Sequence, residues 1–517
     1  MLKNLYLFLK NKSQIHRNDV VGKILVLLTG FAATVWFLSR VIPKPSRATY
    51  PCMQAAAPFM SSFVVYLISL LGGIKFVTCT YNFIKDNKLA FKLVALFTFV
   101  VTGILLGSSK YLYNVENGIV KQFMPANSPV GTAQGLYPGR VVWTHAPGAA
   151  SWDESDDYWF LDKYNSQSCC DWLVENSIIN LTGCTDIKDA WNSLFVYFNE
   201  KKGNKAGYTK GERLVIKINQ NNTYSHQDSK EINASPHLLL SLLKSLINDA
   251  GVPEEYITVT DPSRVVTDFV FNKCSGVFPK GRFVDNIGGD GRIKSEYVGG
   301  IMHYSQDNGK LANGISKDFV EADYVINMAI LKGHVGQGVT LCGKNWYGAM
   351  SIHSDWRNNH HNGFNQNQQG KPQYITFVDF MGLNHVGGKT FLWLIDGLYG
   401  SKAVNGVPKP KWTLSPFNCE WPCSLFASQD PVAIDMVGND FLISQFPDMP
   451  DVNYSDMYMI EAAMANNPPS GTKYMPNGDG VVLSSLGVAE HWNNSKYKQY
   501  GRNLGKDYGI ELLYLKK

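Results

Sequence analysis

Three long apolar runs in the first 107 residues constrain this chain more than any other feature. Lys23–Val41 contains ILVLLTGFAATVWFL, Phe59–Val77 contains SSFVVYLISLLGGI and Ala90–Gly107 contains KLVALFTFVVTGILLG. Each is about long enough to cross a hydrocarbon core of roughly 30 Å as a helix. Charges gather at the flanks of these runs, which favours transmembrane helices over buried core helices. A cleaved leader fits poorly, because the first run starts late and two more follow it. The runs hold almost no ionisable group, which argues against transport by the membrane part itself.

Orientation follows from the flanking cations. Lys3, Lys10, Lys12, Arg17 and Lys23 precede the first run, and Lys85, Lys88 and Lys92 lie at the second connection. Arg40, Lys44 and Arg47 occupy the first connection. An inner-membrane protein with a cytoplasmic N-terminus, crossing three times, leaves everything after about Lys110 outside the cytoplasm. A reporter fused after Lys517 is therefore expected to behave as extracytoplasmic, and one fused near Lys85 as cytoplasmic. The opposite pattern would overturn the charge reading.

The remaining 400 or so residues are ample for a compact core. The expected organisation is a membrane region over 1–110, a polar connection over 111–137 and a globular domain over 138–517. Charged residues are 18% of the chain and the formal net charge is +5, with no long basic run in the body, so nucleic acid is not an expected partner. Seven of the nine cysteines fall after the membrane region: Cys169, Cys170, Cys184, Cys274, Cys342, Cys419 and Cys423. Cys169-Cys170 and Cys419-x3-Cys423 are candidate disulfide partners, and the rest suit small buried hydrophobes. No cysteine spacing fits a zinc ribbon or an iron–sulfur cluster, so no such cluster is expected.

Five strands are expected at Gly139–Thr144, Arg213–Asn219, Tyr256–Val259, Tyr324–Met328 and Thr390–Ile395, from their β-branched and apolar content. Ser235 and Pro236 open a helix with an apolar face of Leu238, Leu239, Leu242, Leu243 and Leu246, which ends at Ala250-Gly251. A second helix is expected over Pro431–Ile443 with Asp430 as its cap, and a third over Thr340–Met350. Strand, helix, strand in succession predicts an α/β fold with crossover helices and a mostly parallel sheet.

Ala329–Gly348, AILKGHVGQGVTLCGKNWYG, gathers Lys332, His334, Thr340, Lys344 and Asn345 among five glycines directly after an expected strand. Lys217 and Asn219 close one strand, Asp261 the next, and Asp396 ends the apolar run of LIDGLYG. The carboxyl ends of neighbouring parallel strands share one edge, so these groups can converge on a pocket for a phosphate or carboxylate. Within it, His334 and Lys344 are the candidate catalytic groups. Lys217, Asn219, Asp261, Lys332, Thr340, Asn345 and Asp396 are the candidate ligand contacts. If their segment is helical, Thr340 and Lys344 share a face.

A divalent metal is the open cofactor question. IHSDWRNNHHNG sets His353, Asp355, His360 and His361 close together, all metal-competent, with His334 as a further ligand candidate. The spacing matches no recognised ligand motif, and an Asn-rich surface loop is the plainer reading of that stretch. Gly288-Gly289-Asp290-Gly291 lacks the flanking elements of a phosphate loop, and no GxSxG elbow occurs.

GERLVIKINQN, the helix from Ser235, AILKGHVGQGVTLCGKNWYG, LIDGLYG and SQDPVAIDMVGNDFL resemble, in order, the signatures of the family known as domain of unknown function 362. The resemblance spans about Gly211–Phe446. It matches a Lys-x-Asn at Lys217 and Asn219, a Lys-x-His at Lys332 and His334, and Thr340. It also matches Lys344, Asn345 and Gly348, then Asp430, Pro431 and Asp435. Some members carry ferredoxin-type cysteine clusters, which this chain lacks. Two functions fit. One is a membrane-tethered enzyme that takes a small anionic substrate, with or without a metal. The other is an accessory subunit that holds a protein partner within the bilayer complex. Convergence of Lys217, Asp261, His334, Lys344 and Asp396 in a cleft favours the first.

Overall fold

The computed structural model describes residues 122–306, 314–351 and 372–517. The three apolar runs lie outside the described residues, as do His353, Asp355, His360 and His361 with their Asn-rich loop. Among the described residues, no helix is long and apolar enough to cross a membrane.

The fold is mixed α/β around a ten-stranded, mostly parallel sheet. Its strands are β1 (Arg140–His145), β2 (Leu214–Lys217), β3 (Ile257–Asp261), β4 (Arg282–Asp285) and β5 (Ile293–Lys294). They continue with β6 (Tyr324–His334), β7 (Gly338–Thr340), β8 (Thr390–Ser401), β9 (Ser424–Ser428) and β10 (Glu511–Lys516). The spatial order is β10-β1-β9-β8-β6-β2-β3-β4-β5, with β7 folded back antiparallel onto β6. From β8 to β5 every neighbouring pair is parallel, while β9 runs against both its neighbours. This is the crossover architecture expected from strand–helix–strand succession.

Two apolar cores cover the two faces, and strand alternation assigns each residue to one of them. Val141, Trp143, Val215, Val325 and Ala329 belong to one core, with helices α5 (Thr376–Gly382), α6 (Pro431–Gln445) and α7 (Met457–Ala463). Val142, Leu214, Ile216, Ile326 and Met328 belong to the other, with α1 (Gln167–Thr182), α2 (Ile187–Glu200) and α3 (Pro236–Asn248). Strands buried on both faces read as continuous apolar runs, which is why their starts were legible in the sequence.

Two of the strands run on further than expected. β6 continues through Lys332 to His334, and β8 continues through Asp396 to Ser401. Their interior glycines read as turns in the sequence but are close-packing sites here. A Cβ on Gly333 would lie 2.2 Å from the Lys402 carbonyl oxygen, and one on Gly400 would lie 2.4 Å from the Trp412 ring.

The expected helix over Thr340–Met350 is also corrected. Thr340 ends β7, and a one-turn helix, α4 (Cys342–Asn345), is followed by a 3-10 turn over Trp346–Ala349. Thr340 and Lys344 therefore share no helical face. Asp430 caps α6 as expected, accepting from the backbone N–H groups of Val432 at 3.0 Å and Ala433 at 2.9 Å. Ser235 precedes α3, yet its hydroxyl caps nothing. Instead the Ser235 N–H donates to Asp396 at 2.7 Å.

The stretch before β1 packs on the domain. Phe123 and Met124 join the core, and Val130–Gly131 pairs with Val488–Ala489. All seven cysteines among the described residues are free thiols, so the Cys169–Cys170 and Cys419–Cys423 bridges do not form. Cys419 is exposed while Cys423 is buried, its thiol set against the backbone of Ala150. Burial pushes the Cys274 thiol up to about 12 and the Cys423 thiol to about 11, the condition of inert packing groups.

Candidate functional site

β6, β2 and β3 are consecutive parallel neighbours, so their carboxyl ends lie side by side. They deliver His334, Lys217 and Asp261 to one edge, and α4 lies against that edge with Lys344 and Asn345. A small, part-open cleft lies there. Its lining includes Lys217, Asn219, Asp261, His334, Thr340, Lys344 and Asn345. These are seven of the nine residues expected to act there.

The floor of the cleft is a buried ion pair. Lys217 Nζ sits 3.1 Å from Asp261 Oδ1, with both residues almost fully enclosed. The ammonium also donates to the Ile218 carbonyl at 2.6 Å and to Asn345 Oδ1 at 3.2 Å. Burial lowers the lysine pKa from its ordinary value, and the Asp261 charge opposes that shift. Asp261 Oδ2 accepts the Gln220 N–H at 2.7 Å.

Asn345 ties the strand ends together. Its Oδ1 also accepts from Asn219 Nδ2 at 3.1 Å, and its own Nδ2 donates to Asn327 Oδ1 at 2.8 Å. Asn327 in turn donates to the Cys342 carbonyl at 3.0 Å, which fastens α4 to β6. The N-terminus of α4 is held from the other side by Asp435, which accepts from Cys342 N at 2.8 Å, Gly343 N at 2.7 Å and the Tyr458 hydroxyl at 2.8 Å. Burial raises the Asp435 carboxyl to about 6. Asp435 therefore positions α4 and lines no part of the cleft.

Gly348 closes over the ion pair. A Cβ there would lie 2.5 Å from Asp261 Oδ1 and 2.9 Å from Lys217 Nζ, so only glycine allows this approach. Lys344 is 7% exposed and rides over the Tyr347 ring at 4.3 Å, a cation–π contact. His334 Nδ1 pairs with the Val335 carbonyl, the arrangement of a ring that donates from Nδ1.

Lys332 and Asp396 do not join this group. Lys332 is fully buried and donates to the Ile232 carbonyl at 3.2 Å, and burial lowers its pKa to about 7 against the pull of Asp261 and Glu231. Asp396 accepts from the N–H groups of Ser235 and, at 3.0 Å, Leu398, and burial raises its carboxyl to about 6. Both serve the packing of long strands.

Five lining residues lay outside the expected set of catalytic and ligand-contact residues: Asn221, Ser263, Arg264, Tyr347 and Gly348. Arg264 is aimed by bonds from Nε to the Asn221 carbonyl at 2.7 Å and from Nη1 to the Ser263 carbonyl at 2.9 Å. Each lies within three residues of an expected site residue, so extending the strand-end motifs into their loops would have found them. Asn327 gave no such signal, because it sits inside an apolar run.

Lys217, Arg264 and Lys344 outnumber the single carboxylate of Asp261, so the lining carries net positive character. Asp261 and His334 are its two metal-competent side chains, and a cation at Asp261 would have to displace the Lys217 ammonium. Among the described residues, no group of three or more His, Cys, Asp or Glu side chains could hold a metal.

Residues 215–440 match the model of the family described as Domain of unknown function (DUF362). The resemblance read from the ordered motifs is borne out. The DUF362 match starts within β2 and ends within α6, and it includes every residue that lines the cleft. The three apolar runs and β10 lie outside the DUF362 match. No curated protein matches the chain.

Proposed function

We propose that the α/β domain binds a small oxyanion, phosphate or carboxylate, in the strand-end cleft, and that the apolar runs anchor it to the outer face of a membrane. The reading rests on one observation: three cations meet one carboxylate in a cleft rich in hydroxyl and amide donors. Point charges from lysines, a guanidinium fork and neutral donors are the groups that recognise oxyanions. Convergence of Lys217, Asp261, His334 and Lys344 favours an enzyme over an accessory subunit. His334 is the candidate general acid–base and Lys344 the candidate electrostatic partner of the reacting group.

Inorganic phosphate provides the test. A ligand that binds only the folded state stabilises it by about 2.7 kcal/mol at a hundredfold excess over Kd. The full chain is expected to melt higher in phosphate. Lys344→Ala and His334→Ala are each expected to abolish that rise while leaving phosphate-free melting nearly unchanged. Equal stabilisation of parent and variants would sink the cleft as the site.

A further inference from the structure

β10 is the last strand of the sheet and pairs only with β1. Beside it lies a second cleft of about 360 Å3, within the roughly 300–1,000 Å3 of small-molecule sites. It shares no lining residue with the strand-end cleft. Of its lining, only Ser415 and Pro416 fall within the DUF362 match.

Aromatic rings form one wall. Tyr514 stacks on Trp143 of β1 with ring centroids 4.1 Å apart. The Trp143 N–H is committed to the Ser424 hydroxyl at 2.9 Å, and the Tyr514 hydroxyl lies 3.0 Å from His145 Nδ1, so both rings are held. Tyr514 is still 41% exposed, and Tyr497 is 59% exposed. These two rings offer flat apolar surface to whatever enters the cleft.

The loop 493–499 supplies the polar side and is knit by its own side chains. Asn493 Oδ1 accepts from the Gln499 N–H at 3.0 Å. Asn494 Oδ1 accepts from the N–H groups of Lys496 at 3.0 Å and Tyr497 at 2.9 Å. Gln499 Oε1 accepts from Asn493 Nδ2 at 3.2 Å, which leaves its Nε2 to donate. Lys498 is only 9% exposed, and its ammonium donates to the Ser495 carbonyl. Burial lowers its pKa from the ordinary value, and no carboxylate offsets that shift. No Asp or Glu lines the cleft, whereas Lys496 and Lys498 both do. A buried ammonium without a counter-charge is costly, and an anionic group in the cleft relieves that cost.

We propose that this cleft binds an acidic sugar residue of the hexuronate class, independently of the oxyanion site at the strand ends. Lys498 and Lys496 are the point charges for its carboxylate. The exposed tyrosine rings take the C–H face of the pyranose, because a negative π-face attracts polarised C–H groups. Gln499 Nε2 donates to a sugar hydroxyl. A nucleobase held between two rings is disfavoured, since Trp143 already covers one face of Tyr514 and the Lys496 ammonium lies 4–6 Å over Tyr497, at 5.0 Å.

The test is a saturation-transfer NMR titration of the full chain carrying Lys344→Ala, which silences the strand-end cleft. The probes are glucuronate, glucose and uridine monophosphate. Glucuronate is expected to bind, with the strongest transfer to its ring protons, and glucose at least tenfold more weakly. Adding Tyr497→Ala is expected to weaken glucuronate at least tenfold. Adding Lys498→Met is expected to erase the preference for glucuronate over glucose. Tyr497 is largely exposed, so its removal tests the site even if Lys498→Met fails to fold. Absent glucuronate binding, tighter binding of uridine monophosphate, or undiminished binding after Tyr497→Ala overturns the proposal.

Discussion

Lys217→Met is expected to cost the full chain about 3–5 kcal/mol of unfolding free energy, because it leaves the Asp261 carboxylate buried without its counter-charge. Neither member of the pair is more than 3% exposed at the side chain, so solvent cannot compensate. The substitution also removes the ammonium from the Ile218 carbonyl and from Asn345, the residue that joins α4 to the strand ends. Lys217→Met combined with Asp261→Asn is expected to recover most of the loss, since asparagine can still accept the Gln220 N–H without burying a charge. Denaturant midpoints of the parent, both single variants and the double variant form the cycle that measures this coupling. A single Lys217→Met variant as stable as the parent would show that the pair does not hold this edge together. The double variant should also fail to respond to phosphate, which separates the stability of the edge from its charge.

A loss of similar size, about 3–5 kcal/mol, is expected for His491→Leu. His491 is clamped between two buried carboxylates, with Nδ1 2.5 Å from Asp440 and Nε2 3.1 Å from Asp456. The clamp joins α6, which carries Asp440, to the loop that enters α7 at Asp456. Asp440 further accepts from the Tyr500 hydroxyl and the Trp492 N–H, each at 2.9 Å, and Asp456 from the Phe123 N–H at 2.7 Å. Burial alone would lower the imidazole pKa, but the attraction of Asp440 and Asp456 outweighs it and raises the group to about 10. A folded-state pKa above the ordinary 6.5 means that the folded protein holds this proton more tightly than the unfolded chain does. The clamp's contribution is therefore complete below about pH 6.5 and is lost as pH rises toward 10. The parent should lose stability across that window more steeply than His491→Leu. Parallel pH profiles for the two would rule out a charged clamp.

The cleft was legible to an unusual degree because its chemistry sits where short polar motifs interrupt apolar runs. Lys217-x-Asn219, Asp261 and the His334–Asn345 stretch are each a few residues of polar side chain at the end of a buried strand. Parallel pairing then carries them to one edge whatever their separation in sequence. Lys332 and Asp396 look the same in one dimension, but they are interior positions of strands that continue past them. Gly333 and Gly397 read as turn residues beside them, whereas in the sheet a Cβ on Gly333 would collide with the Lys402 carbonyl and one on Gly397 would press against the Ser424 carbonyl at 3.2 Å. Asp435 shows the converse. Its motif was visible, but its task, holding α4 by two backbone N–H groups, depends on an approach between segments 92 and 93 residues apart.

Periodicity, cap residues and strand-end polarity thus determined the fold class, the positions of α3 and α6 and most of the residues that meet in the cleft, since each depends on neighbours within a few residues. Tertiary structure alone decided where the long strands end, which polar groups face the cleft and which are consumed by packing. It also decided that Gln220 lines a different pocket from its neighbours Asn219 and Asn221. Those outcomes depend on which distant backbone or carboxylate arrives beside a side chain, and a buried polar group takes its role from that partner.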